Sequence, residues 1–236
     1  WALVTGASRG IGRLVALCMA GQGCNLVLHS RELGHTRELL GEVEARGVHA
    51  YAVQADLAEH DQVVAMLDEI ESRGTAIDIL FNNAGMQVAY REDYWRTPVE
   101  DFETSFRINF IAVTTLCYRL MPQMIARGFG RVINTSSDID KQPEQAGYSA
   151  SKAALDKFTR DLGSKLDGTG VQISLANPGW CRTDLGGPHA PHSPESAIPG
   201  MVVGAFIDDG INGRCFHVQE YRGLSLEEAV GRAESA

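Results

Sequence analysis

In the stretch "AGYSASKAAL" (146–155) a tyrosine and a lysine, Tyr148 and Lys152, stand four positions apart in a run with the composition of a helix. Residues i and i+4 lie on successive turns of one helix face, so phenol and ammonium must meet. A free phenol titrates near ~10, and each unit by which a neighbouring cation lowers that value corresponds to about 1.4 kcal/mol. Lys152 beside it would make Tyr148 a usable proton donor and acceptor at neutral pH. Taken alone, the pair is more simply read as a plain surface helix with Tyr148 half packed and Lys152 solvated. The surrounding elements have to decide.

Those elements follow a regular pattern. Short runs rich in Val, Ile and Leu occur at 2–5, 25–29, 48–53, 77–82, 131–136, 171–177 and 214–218, and amphipathic stretches at 11–20, 32–46, 61–73, 99–127 and 147–166 lie between them. Near-continuous apolar strands separated by helices predict a parallel sheet covered on both faces, a doubly wound α/β fold. No repeat or Ser/Pro-rich linker divides the chain, so residues 1–236 read as a single domain. The irregular stretch "GGPHAPHSPESAIPG" follows the sixth strand, at the edge where open α/β sheets bind ligands, and predicts a substrate-side loop over 184–205. The tail "LSLEEAVGRAESA" reads as a helix that covers an edge or frays.

Composition narrows the function. A formal charge of −9 with no Lys/Arg cluster argues against nucleic acid or an anionic membrane as partner. No apolar run is long enough for a membrane span. Five scattered cysteines without a CxxC spacing suit reduced thiols and a cytoplasmic protein. Since the chain opens at Trp1 with no methionine, a few residues are expected to precede it.

"VTGASRGIG" runs from the first strand through Gly6, Gly10 and Gly12 into a helix. Glycines there let the backbone turn tightly and let a pyrophosphate approach the helix amino end, where free N–H groups favour negative charge. The spacing is Thr-Gly-x-x-x-Gly-x-Gly. It is followed in order by "ADL" (55–57), "NNAG" (82–85), "IN" (108–109), "NTSS" (134–137), "YSASK" (148–152) and "PGWCRT" (178–183). Together these motifs resemble the short-chain dehydrogenase/reductase family over nearly the whole chain. The resemblance implies one Rossmann-type domain with about seven parallel strands and helices on both faces.

It also implies roles. Gly6, Ser8, Arg9, Gly10, Ile11 and Gly12 would form the phosphate turn, and Asp56 and Leu57 would meet the adenine. Asn83, Ala84 and Gly85 would support the cofactor channel, and Pro178, Gly179 and Thr183 would border the nicotinamide beside Tyr148 and Lys152. The implied reaction is reversible hydride transfer between a nicotinamide and a small carbonyl or secondary alcohol, Tyr148 exchanging the proton. Ser137 would hold the substrate oxygen, with Ser136 as competitor because the loop to Tyr148 is shorter than in many relatives. Asn109 would anchor a water relaying protons from Lys152, a role compatible with an interior asparagine bonded to backbone.

At the end of the second strand, an acidic residue would select a ribose 2′-OH and arginines a 2′-phosphate. Here Ser30 fills the acidic position, Arg31 follows, and Arg9 stands across on the glycine turn, which predicts NADP(H) over NAD(H) in spite of Glu32 next door. Asp138, Asp140 and Glu144 read as a solvated loop, or as a pocket rim favouring a polar substrate if Asp138 faces inward. Tyr94, Trp95 and Trp180 are candidate apolar walls. His189, His192, Cys181 and His217 match no zinc spacing, so no metal is expected. "PGWCRTDLGG" followed by "SPESA" resembles a small carbonyl-reductase branch. The family resemblance implies pairing through the helices over 99–127 and 147–166 into a homodimer or homotetramer, and "TTLCYRLMPQMI" has apolar positions enough for two faces. The competing functional reading is a non-catalytic cofactor sensor, which could dispense with Ser, Tyr and Lys.

Overall fold

Alternation along each strand builds both faces of the sheet. In the computed structural model, which describes residues 1–235, Leu3 and Val27 pack into one core while their neighbours Ala2, Val4, Leu26 and Leu28 pack into the other. The strands are β1 (Ala2–Val4), β2 (Leu26–Ser30), β3 (Ala50–Gln54), β4 (Ile79–Asn82), β5 (Gly130–Thr135), β6 (Val171–Asn177) and β7 (Cys215–His217). All pair in parallel, in the order β3-β2-β1-β4-β5-β6-β7. The chain winds outward from β1 to β3 and then returns to β4, so the winding reverses between β1 and β4. In open α/β sheets such a reversal marks the ligand crevice at the strands' carboxyl ends.

One face carries α1 (Gly10–Gly21) and α2 (Arg37–Glu44), whose Val15, Met19, Leu39 and Val43 are buried against it. The other carries α3 (His60–Ser72), α4 (Val99–Phe106), α5 (Ala112–Arg127) and α6 (Ala146–Gly163). The long helix expected over 99–127 is interrupted by a π-helical turn at Arg107–Ile111, which contains Asn109.

The loop expected over 184–205 needs correction. Ala197, Met201 and Val202 are fully buried and share a core with β1 and α1, so the segment's second half is interior structure. Its apolar run lies among Pro194, Pro199, Gly200 and Gly204, which break a long helix but permit the short 3₁₀ turns Pro194–Ala197 and Val203–Ala205. Burying each aliphatic side chain there contributes roughly 1.5–3 kcal/mol.

The tail forms α7 (Leu226–Glu234), started by a capping box in which Ser225 and Glu228 each bond the other's backbone N–H. Ala229 and Ala233 pack with Val203, Ile207, Phe216 and Tyr221, so this helix covers a third core. Ala236, the last residue of the predicted domain and tail, lies outside the described residues.

Candidate active site

Thr5, just past β1, joins the two turns that flank the crevice. Its Oγ1 donates to Phe81 O (3.1 Å) and accepts from the N–H groups of Asn83 and Ala84 (3.0 Å each). Asn83 returns a bond from Nδ2 to Thr5 O at 3.1 Å. Gly6 takes a positive φ of +65°, and a Cβ on it would meet Ala84 Cα at 2.9 Å. A Cβ on Gly12 would overlap the Gly6 carbonyl and stand 2.5 Å from Asn83 Nδ2. Nothing larger than glycine fits these positions.

Helix α1 begins at Gly10 with Arg9 extended at its N-cap, no side-chain cap and no acidic residue in its first turn. Its amino end therefore keeps free N–H groups and an uncompensated positive dipole, unlike the capped α7. That is the donor set a dinucleotide pyrophosphate requires. Ser8 and Ile11 are half-buried on the same turn.

The 2′ region differs in detail from expectation. Ser30 is buried and its Oγ donates to Glu32 O at 2.7 Å, so its contribution is the lack of a carboxylate and not a free hydroxyl. Arg31 is exposed. Arg9 Nη1 donates to Asp184 Oδ2 at 2.7 Å across the crevice, an ion pair the sequence did not suggest. Asp56 accepts from Ala58 N–H (2.9 Å) and organises the turn after β3, while Leu57 is buried in the core.

At the carboxyl end of β5 the expected chemical groups come together. Lys152 Nζ donates to Thr135 O at 2.7 Å and lies 6.0 Å from the centre of the Tyr148 ring. Burial lowers the Lys152 pKa to about 8, opposed by the charge of Asp156. Burial also raises the Tyr148 pKa, opposed by a hydrogen bond from Ser137. Burial, and not the Lys152 charge expected from the sequence, is the dominant influence on Tyr148. Loss of hydration outweighs the Ser137 bond, while the Lys152 ammonium is engaged with the Thr135 carbonyl. Ser136 is buried, with Oγ donating to Asp156 Oδ1 at 2.6 Å, whereas Ser137 stands beside Tyr148.

Asn109, fully buried in the π turn, accepts from Met86 N–H (2.8 Å) and donates to Met86 O (2.9 Å) and Ser151 Oγ (3.0 Å). Its side chain thus takes the interior, backbone-bonded role. Gly85 passes between this residue and the lysine: a Cβ there would stand 3.5 Å from Asn109 Oδ1 and 3.7 Å from Lys152 Nζ.

Past β6, Asn177 Oδ1 accepts from Gly179 N–H (3.0 Å), and Pro178 O accepts from Gln219 Nε2 (2.8 Å). Thr183 folds over the glycine turn, its Cγ2 3.3 Å from where a Gly10 Cβ would be. Trp180 is 58% exposed and donates to Gly186 O, and Trp95 is 85% exposed with its ring 5.1 Å from that of Tyr94, so neither tryptophan is ordinary core packing. Asp138 is exposed and pairs with His217 at 3.5 Å. Cys181 and His192 meet through a backbone bridge. No cluster of three metal-ligating side chains forms among the described residues.

Sequence reasoning missed His29, which is buried in β2 with Nδ1 accepting from Gly6 N–H (3.2 Å) and Nε2 facing Ala55 O (3.1 Å). A lone histidine in the aliphatic run "LVLHS" was the available signal.

Residues 1–193 match the short chain dehydrogenase family. The chain belongs to that family. A 3-oxoacyl-[acyl-carrier-protein] reductase of Staphylococcus aureus is 34% identical over 190 residues, 78% of this chain and 75% of the relative. A short-chain type dehydrogenase/reductase of Picea abies is 35% identical over 194 residues, covering 78% and 71%. Among solved structures, a metagenomic short-chain oxidoreductase in complex with NADP superposes with a TM-score of 0.73 at 30% identity, covering 83% and 85%. A gluconate 5-dehydrogenase of Burkholderia cenocepacia, in complex with NADP and tartrate, gives 0.77 at 29% identity and 91% of each chain. This short-chain dehydrogenase is therefore an oxidoreductase, and no helix among its described residues is long and apolar enough to cross a membrane.

Proposed function

We propose that this enzyme interconverts a small carbonyl compound and its secondary alcohol with NADP(H), Tyr148 exchanging the proton. The observation that carries the reading is the meeting of Ser137, Tyr148 and Lys152 at the carboxyl end of β5, beside the crevice. When bound, the nicotinamide supplies or accepts the hydride. Tyr148, held protonated by burial, gives its proton to the substrate oxygen in reduction and recovers it in oxidation. Ser137 donates to that oxygen as negative charge develops. Lys152, fixed on Thr135 O, sets a positive potential beneath the ring. With all three groups retained, a non-catalytic sensor is disfavoured.

Arg9 and Arg31, the missing carboxylate at Ser30 and the NADP held by two similar structures support NADP(H) over NAD(H). The uncapped α1 amino end would hold the pyrophosphate, Asp56 and Leu57 the adenine side, and Asn83 to Gly85 with Pro178, Gly179 and Thr183 the nicotinamide side. Exposed Ile111, Tyr118 and Ile125 around α5 support pairing of two copies, and five unpaired cysteines support a cytoplasmic setting.

The test is a screen with NADPH and NADH that includes 3-oxoacyl thioesters and keto-sugar acids. Tyr148→Phe should abolish turnover and leave cofactor binding intact. Activity surviving within about tenfold, a barrier change of only ~1.4 kcal/mol, contradicts the role. Faster turnover with NADH than NADPH contradicts the cofactor choice.

A further inference from the structure

We propose that His29 is a positioning residue of the cofactor site, one imidazole holding the glycine turn and the turn after β3 at a fixed separation. The proposal rests on the reading that these two turns bind the dinucleotide. Gly6, bonded through its N–H to Nδ1, opens the phosphate turn. Ala55, whose carbonyl faces Nε2, immediately precedes Asp56 on the adenine side. The His29 carbonyl adds a third tie, accepting from Ala7 N–H at 2.9 Å. One residue thus grips both segments that the dinucleotide must span.

The partners fix the tautomer. Nδ1 faces an N–H donor and must be bare, while Nε2 faces a carbonyl and must carry the hydrogen. Protonation would set a second N–H against Gly6, and burial opposes it by lowering the pKa to about 4. The imidazole therefore stays neutral and bifunctional across the working range. An aliphatic side chain here would orphan a buried donor and a buried acceptor together. The turns would then be free to separate, and binding that needs both at once would weaken. The reacting groups on β5 and α6 make no bond to His29, so the chemical step should be spared.

The experiment compares wild type with His29→Leu, His29→Asn and His29→Gln. Asparagine offers a polar atom near the Nδ1 position and glutamine near Nε2. NADPH dissociation constants, kcat at saturating cofactor and unfolding midpoints are measured together. His29→Leu is expected to raise the NADPH dissociation constant about tenfold or more, with kcat within about twofold of wild type. His29→Asn and His29→Gln should each recover part of the affinity lost in His29→Leu, since each restores one of the two ties. Folded His29→Leu protein that binds NADPH like wild type overturns the proposal, as do asparagine and glutamine variants that both bind no better than leucine. Should the leucine variant not fold, nitrogen-detected NMR of wild-type His29 decides: an Nε2–H tautomer at neutral pH supports the proposal and an Nδ1–H tautomer overturns it. Wild-type protein binding neither NADPH nor NADH overturns the cofactor reading and this proposal with it, before any variant is compared.

Discussion

Ser136 and Asp156 are joined by a 2.6 Å hydrogen bond from Oγ to Oδ1, and this bond separates two adjacent serines by task. Ser136 is turned toward α6 and occupied, while Ser137 stands at Tyr148. Ser137→Ala should therefore lower kcat by about 10²- to 10³-fold, as loss of one oxyanion donor does elsewhere. Ser136→Ala should retain turnover within about fivefold and lose about 1 kcal/mol of stability. Steady-state rates and urea unfolding of the two variants check this. The reverse ranking would assign the substrate oxygen to Ser136.

Burial of Lys152 should be visible in the pH dependence of stability. Its pKa falls from 10.5 in the unfolded chain to about 8 in the fold. Between those values the unfolded state keeps a proton that the folded state has shed, so stability from this residue rises with pH across that window. Below it both states are charged and the cost of burying the ammonium is fully present. The whole effect is at most about 3 kcal/mol. Denaturant unfolding of wild type and Lys152→Met across the window should show a stability difference that changes with pH in this direction. A constant difference would reject it.

Gly12→Ala tests the glycine turn. The added Cβ overlaps the backbone oxygen of Gly6, which cannot rotate away as a side chain could. We expect a loss of about 1–3 kcal/mol from overpacking together with loss of NADPH binding. Calorimetric titration with NADPH measures the second effect, and wild-type affinity in the variant would mean that this turn does not hold the cofactor.

Arg9 has two claims on it. It pairs with Asp184, both side chains being about two-thirds exposed, at 67% and 71%. Such a pair contributes under about 1 kcal/mol, little enough for a 2′-phosphate to displace. Arg9→Ala should weaken NADPH binding by about tenfold while leaving NADH within about twofold. Asp184→Asn should tighten NADPH by up to about fivefold, an advantage that fades at high salt. Equal effects on both cofactors would deny Arg9 a role at the 2′ group.

Much of this was written locally in the chain. The seven strands, the glycine turn after "ALVT" and the Tyr148 to Lys152 spacing follow from short continuous apolar runs, from positions that tolerate no side chain and from a helix's i,i+4 geometry. These are short-range properties, and a few adjacent residues suffice to set them. What required the tertiary structure was which side chain each polar group meets. Arg9 is 175 residues from Asp184, His29 joins two separate turns, and Ser136 is distinguished from Ser137 only by the helix that packs over it. Burial likewise reversed the expected direction for Tyr148 and turned the end of the 184–205 loop into core. Hydration and hydrogen-bond partners are properties of the packed whole, so a linear pattern can name the reacting groups without fixing their surroundings.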